Sequence, residues 1–300
     1  MKPVPKFEVK TPKRFKFEEC LWFLDRNYDD CLLRIEKGSV FKLLKPKSGK
    51  LLVRIFTEKT KLYYEVIKGE PSQENILFLR DYITEWFDLK RDLTPFYKIL
   101  NHDPYLSYMT KSYEGLRLIG IPDLFEALSW CIIGQQINLT FAYTLKRRLT
   151  ENYGEKLKFK DHTYYLFPKH SVLADLTVDE LRKLQFSGKK AEYIIGIAKS
   201  FSEGKINKND LVSLPDLESK QKFLTQWKGV GIWTANYSLM KSLREPSCIP
   251  YGDVGLWNAL ERHRIIQNRN EKEKLTEFFE PYKGWESYLV FYLWRSLSEA

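Results

Sequence analysis

Residues 224–260 read LTQWKGVGIWTANYSLMKSLREPSCIPYGDVGLWNAL, and the punctuation of this stretch decides the fold. It predicts a helix, a tight glycine hairpin, a second helix, a loop, and a single Asp opening a further helix. Lys228-Gly229-Val230-Gly231 interrupts an apolar run with two glycines, which can take positive φ and leave backbone N–H groups uncovered. The turn feeds a helix start, where orphan N–H groups and the positive end of the helix dipole favour an anion without reading a base. Trp233, Tyr237 and Met240 follow at i, i+4 and i+7, so two aromatic rings share one helix face. Asp253 lies between Gly252 and the apolar set Val254, Leu256, Trp257 and Leu260, the position of an N-cap.

Each feature also has a plain structural reading: the turn as a connector, the rings as core, the Asp as a helix cap. Together they fit one chemistry, in which the hairpin holds phosphates, a base enters between aromatic rings, and a carboxylate stands near the glycosidic carbon. The segment resembles the helix-hairpin-helix and Gly/Pro…Asp superfamily of DNA glycosylases, most closely its alkylbase branch, the DNA-3-methyladenine glycosylase II type. Gly229-Val230-Gly231-Ile232-Trp233-Thr234-Ala235 looks like the family hairpin and Gly252-Asp253-Val254-Gly255-Leu256 like its catalytic-Asp turn.

The resemblance implies roles for named residues. Asp253 would be catalytic, and Trp233, Tyr237 and Trp294 would wall the base pocket, Trp294 through the Trp-x-x-Tyr…Trp pattern near the C-terminus. Lys228, Gly229, Val230, Gly231 and Thr234 would bind DNA. So would Gln136 and Ile137 of the Gly-Gln-Gln segment, Ile137 as an apolar wedge that fills the space left by an extruded nucleotide. Bifunctional relatives carry a Lys directly before the Thr-Ala of the hairpin helix, where this chain has Trp233, which implies a glycosylase without strand-cleaving activity. No cofactor is expected, the family's C-terminal cysteine cluster being absent. A monovalent cation at the hairpin carbonyls is a further implication. The expected partner is double-stranded DNA containing alkylated bases, bound by a monomer.

Composition agrees with that partner. Lys and Arg number 49 against 39 Asp and Glu, a formal net charge of +10, which suits a polyanion but is shared by many basic proteins. Cys20, Cys31, Cys131 and Cys248 lack the paired spacing of a metal or cluster site and read as reduced thiols, so no metal is expected. The N-terminus has no apolar signal core, and the uncharged run Ala127–Leu145 contains Gln135, Gln136 and Asn138, which would be unpaired in lipid. The expected location is the cytoplasm, at the nucleoid.

The 300 residues predict two domains. Residues 1–16 read as a basic, solvated tail. A short helix over Phe17–Asp25 precedes β-prone runs at Cys31–Ile35, Val40–Leu44, Leu51–Phe56 and Leu62–Ile67, and Ser72 caps a helix carrying Ile76, Leu79, Ile83 and Phe87. This gives an N-terminal α+β subdomain, residues 1–90, with an antiparallel sheet. Residues 91–300 read as all-helical, so the chain as a whole is mainly α. Capping boxes are expected at Asp123/Glu126 and Thr177/Glu180. Lys189 and Lys190 read as solvated or aimed at phosphate, and Arg262-His263-Arg264 as solvated or touching DNA. Three rival readings stay open: a non-catalytic helix-hairpin-helix DNA-binding protein, a glycosylase for another damaged base, and a scaffold with incidental charge.

Overall fold

A computed structural model describes residues 4–26 and 28–298. The N-terminal half is built on a five-stranded antiparallel sheet in the order β1-β5-β4-β3-β2, with β1 Lys6–Val9, β2 Leu33–Glu36, β3 Ser39–Leu44, β4 Leu51–Glu58 and β5 Lys61–Lys68. The register sets Val40 opposite Ile55 and Ile55 opposite Tyr64, so β-branched and aromatic side chains line one face. That face packs on the helix Gln73–Trp86 through Leu79 and Ile83. Ser72 caps this helix by accepting from the Asn75 amide at 3.3 Å, as expected.

Three expectations need correction. Of the tail, residues 1–3 lie outside the described residues, but Lys6–Val9 is a strand that pairs with β5, and Phe7 stacks on Tyr64 with ring centroids 5.3 Å apart. The basic composition hid one apolar position facing an open sheet edge. The segment after residue 90 is not all helix, because β6 Lys156–Phe159 and β7 His162–Tyr165 form a hairpin. Leu157, Phe159 and Tyr164 pack on Phe41, Leu43, Leu52 and Ile67 and so cover the other face of the N-terminal sheet. Glu126 makes no capping box. Asp123 accepts from its amide at 2.9 Å, but its carboxylate turns to Lys146 at 3.6 Å. The Thr177/Glu180 box forms in full.

Helices make up the rest, and three position the site. Leu124–Gly134 is buried on nearly every side, the hairpin joins Leu217–Thr225 to Ile232–Ser238, and Glu286–Ser296 closes the chain. The last of these is anchored by Tyr292, whose hydroxyl meets that of Tyr97 at 2.8 Å. Among the described residues no helix is long and apolar enough to cross a membrane.

Candidate active site

The hairpin depends on Gly229. Its φ is +88°, and a Cβ there would run into the Tyr193 ring. Gly231 takes φ −87°, so the expectation that both glycines use positive φ holds for the first alone. Gly231 is instead the N-cap of Ile232–Ser238, and having no side chain it leaves the helix N–H groups uncapped, as an anion site needs.

Not every residue expected at the DNA faces outward. Val230 is buried and its amide donates to the Trp227 carbonyl at 3.0 Å. Thr234 is buried too, and its hydroxyl accepts from Gln135 Nε2 at 3.2 Å. Both shape the hairpin from inside and offer a phosphate no side chain. Lys228 is exposed, paired with Glu192 at 3.2 Å. Gln136 is exposed with a left-handed backbone, φ +56°. Ile137, expected to stand clear, is half-buried against the core, and Leu139 is the more exposed apolar side chain of this turn. The residue that sequence reasoning missed is Gln135, which ties the turn to the hairpin by donating to the Gly229 carbonyl at 2.9 Å. Lys190 is neither free nor turned to solvent: its Nζ donates to the Ile133 carbonyl at 2.7 Å, at the C-terminal end of Leu124–Gly134. Arg262 and His263 hold Ser296 of the last helix at 3.0 Å each.

The predicted pocket residues do come together. Trp233 and Tyr237 lie with ring centroids 5.6 Å apart, and Tyr237 and Trp294 5.8 Å apart, in a continuous aromatic row. Beyond Ser238 the helix widens into a π-turn, Leu239–Leu243, so Met240 leaves the expected face and is fully buried. Asp253 meets this row from the start of Val254–Arg262. It caps that helix by accepting from the Leu256 amide at 2.7 Å, and it also accepts from Trp294 Nε1 at 2.9 Å. Cap and pocket residue are therefore one side chain, and the two readings of Asp253 do not compete. Gly252 before it has φ +88°, which turns the carboxylate toward the rings.

The helix start was expected to keep Asp253 readily ionised. Instead its pKa is raised: burial is the largest cause, only partly opposed by hydrogen bonds from the Leu256 amide, Trp294, Trp233 and the Gly255 amide. Beneath the row lies an unexpected cation. Lys241, one turn past Tyr237, is fully buried, and its Nζ has no hydrogen-bond partner.

An uncapped helix start for phosphate, beside a carboxylate ringed by aromatic side chains, defines a protein that handles a single base of DNA. Comparison with known proteins agrees. Residues 129–283 match the model of the HhH-GPD superfamily base excision DNA repair proteins, and residues 33–128 that of the 8-oxoguanine DNA glycosylase N-terminal domain. The chain belongs to the HhH-GPD superfamily. It is 37% identical over 295 residues to a DNA-3-methyladenine glycosylase of Bacillus subtilis (strain 168), covering 96% of each chain. A 3-methyladenine DNA-glycosylase from Archaeoglobus fulgidus shares its fold, with a TM-score of 0.82, 23% identity, and coverage of 99% of this chain and 100% of that one. So does a Clostridium acetobutylicum 8-oxoguanine glycosylase/lyase, with a TM-score of 0.76 and 21% identity over 97% of each chain. The protein is a base excision repair DNA glycosylase, and DNA is its partner.

Proposed function

We infer that this protein is a monofunctional glycosylase that flips alkylated purines out of duplex DNA and hydrolyses their N-glycosidic bonds. The observation that carries the reading is the Trp294–Asp253 hydrogen bond, which holds a half-buried carboxylate at the rim of the aromatic row. Alkylation of a ring nitrogen gives the base a positive charge and weakens its bond to the sugar. Electron-rich Trp and Tyr faces attract such a base by ~0.5–2 kcal/mol. What remains is to stabilise the oxocarbenium-like sugar and direct a water, and Asp253 can do both: its charge opposes the developing cation and its oxygen orients or deprotonates the water.

Trp233 stands where a Schiff-base lysine would be needed for strand cleavage, and Lys241 below it has no exposed surface. Gln136 and Ile137 flank the hairpin, where the wedge would enter. A monovalent cation at the hairpin fits the carbonyls of Trp227 and Gly229, each of which keeps a lone pair beyond the hydrogen bond it accepts. No catalytic step runs through such an ion. The test is to incubate the protein with methylated duplex and identify released bases by chromatography, with borohydride trapping in parallel. Release without a trapped adduct supports the reading. Absence of release removes it, and a trapped adduct removes its monofunctional part.

Two expected results follow from the geometry. The active form of Asp253 is the carboxylate, and burial holds its pKa above the ordinary carboxylate value of about 4. Single-turnover release should therefore decline on acidification at a pH above that value, as the carboxylate takes up its proton. A rate that stays flat down to pH ~4 would argue against Asp253 as the reacting base. The second concerns Gly255, where a Cβ would sit 3.2 Å from both Asp253 Oδ1 and Trp294 Cδ1. Gly255→Ala should push the indole off the carboxylate and slow release about tenfold. Thermal stability should hold or rise, since Ala is favoured over Gly in a helix by ~1 kcal/mol.

A further inference from the structure

Behind Tyr237, on the side away from Asp253, a cavity of about 550 Å³ including its open mouth lies between the two halves of the chain. Tyr237 and Phe23 border both spaces. Trp130 hydrogen-bonds the Tyr237 side chain from the cavity side, and Tyr143 packs on Trp130 with ring centroids 4.7 Å apart. The order from the carboxylate inward is therefore Asp253, the Trp–Tyr–Trp row, then this chamber. A purine held with its sugar carbon at Asp253 directs its far edge toward the chamber mouth.

Arg26 lies at that mouth with donors to spare. Its Nε donates to the Phe23 carbonyl at 3.1 Å, Nη2 makes one long bond of 3.4 Å to the Tyr143 hydroxyl, and the guanidinium lies 4.1 Å from the Phe23 ring centroid. Among the described residues no carboxylate pairs with it. Neighbouring acids are held elsewhere, Asp29 by Arg147, and Asp30 by Lys146 at 3.2 Å. A half-buried guanidinium has five N–H groups and no acceptor capacity, so those left over await an acceptor from outside the chain.

We propose that Arg26 is a specificity-determining residue that reads the 6-carbonyl of the extruded purine and so favours 6-oxopurines, such as 7-methylguanine and hypoxanthine, over 6-aminopurines. The proposal rests on the function inferred above. A carbonyl oxygen at the far edge completes the guanidinium's hydrogen bonding, as Arg does with the O6 edge of guanine in duplex readout. The exocyclic amine of an adenine derivative presents a donor at the same place, which leaves Arg26 unpaired and opposes it with N–H against N–H.

The experiment compares wild type, Arg26→Met and Arg26→Gln on one methylated duplex, reading the ratio of released 7-methylguanine to 3-methyladenine, with hypoxanthine release from a second duplex. In Arg26→Met the ratio should fall about tenfold, the size of one lost charged hydrogen bond, and hypoxanthine release should fall with it. Arg26→Gln, which keeps a donor, should lie between. A misfolded variant would lose both bases alike, so the ratio reports on recognition rather than folding. An unchanged ratio overturns the proposal. So does a uniform loss of both bases with weaker, less salt-dependent DNA binding, which would make Arg26 a phosphate contact. If wild type releases neither base, the proposed function fails and takes this inference with it.

Discussion

Asp253→Asn should reduce base release by roughly 10²–10³-fold or more, the loss seen when a preorganised electrostatic group is removed from a reacting centre. The substitution is sharp because so little else changes. Asn is as good an N-cap as Asp, and its carbonyl oxygen can still accept from the Leu256 amide and Trp294 Nε1. Helix, indole and slot stay in place, and only the charge and the basic oxygen go. Unfolding midpoint and affinity for abasic-site duplex should remain near wild type while single-turnover release collapses. If release persists, Asp253 is a cap and nothing more, and the hairpin serves a protein that binds DNA without cutting the glycosidic bond.

Lys241→Met should raise stability by about 1–3 kcal/mol at neutral pH, the typical cost of burying a polar group without a partner. Lys241 Nζ lies 4.0 Å from the Phe23 ring centroid and 4.9 Å from that of Phe291, which soften its loss of water without replacing it. Burial is the first cause that drives its pKa well below the usual lysine value, with Arg26 and Arg244 adding repulsion. The linkage has a definite sign. Between the lowered folded value and the unfolded value of about 10.4, the unfolded chain binds one more proton, so this group makes stability rise with pH by ~1.4 kcal/mol per unit. Denaturant unfolding across that window should show a slope shallower by one proton in Lys241→Met. A destabilised variant with an unchanged slope would mean that the amine has a partner and a charge.

Much of the site was legible because it is local. The turn at Gly229, the spacing of Trp233 and Tyr237, and the Gly252-Asp253 cap are each set by neighbours in sequence. Trp294 needed the family pattern, since it reaches Asp253 from 41 positions further along the chain. The residues that escaped notice are those whose partners are distant. Val230 and Thr234 sit in the hairpin motif yet turn inward, because Trp227 and Gln135 claim them. Lys241 did carry a signal, a charge four residues beyond Tyr237 on the ring-bearing face, but its burial follows from Phe23 and Phe291, which no local window contains. The strands β6 and β7 were missed for the same reason. Their apolar alternation is short and gains meaning only against a sheet built more than a hundred residues earlier.

That hairpin also bears on how the chain can be divided. Leu157, Phe159 and Tyr164 supply the covering layer for Phe41, Leu43 and Leu52. A fragment cut near residue 90 would carry a bared, greasy surface with no lid of its own, prone to self-association. The two halves are interleaved by exchange of parts, each finishing the other's interior, and maturation of the N-terminal half waits on synthesis of residues well past its apparent end.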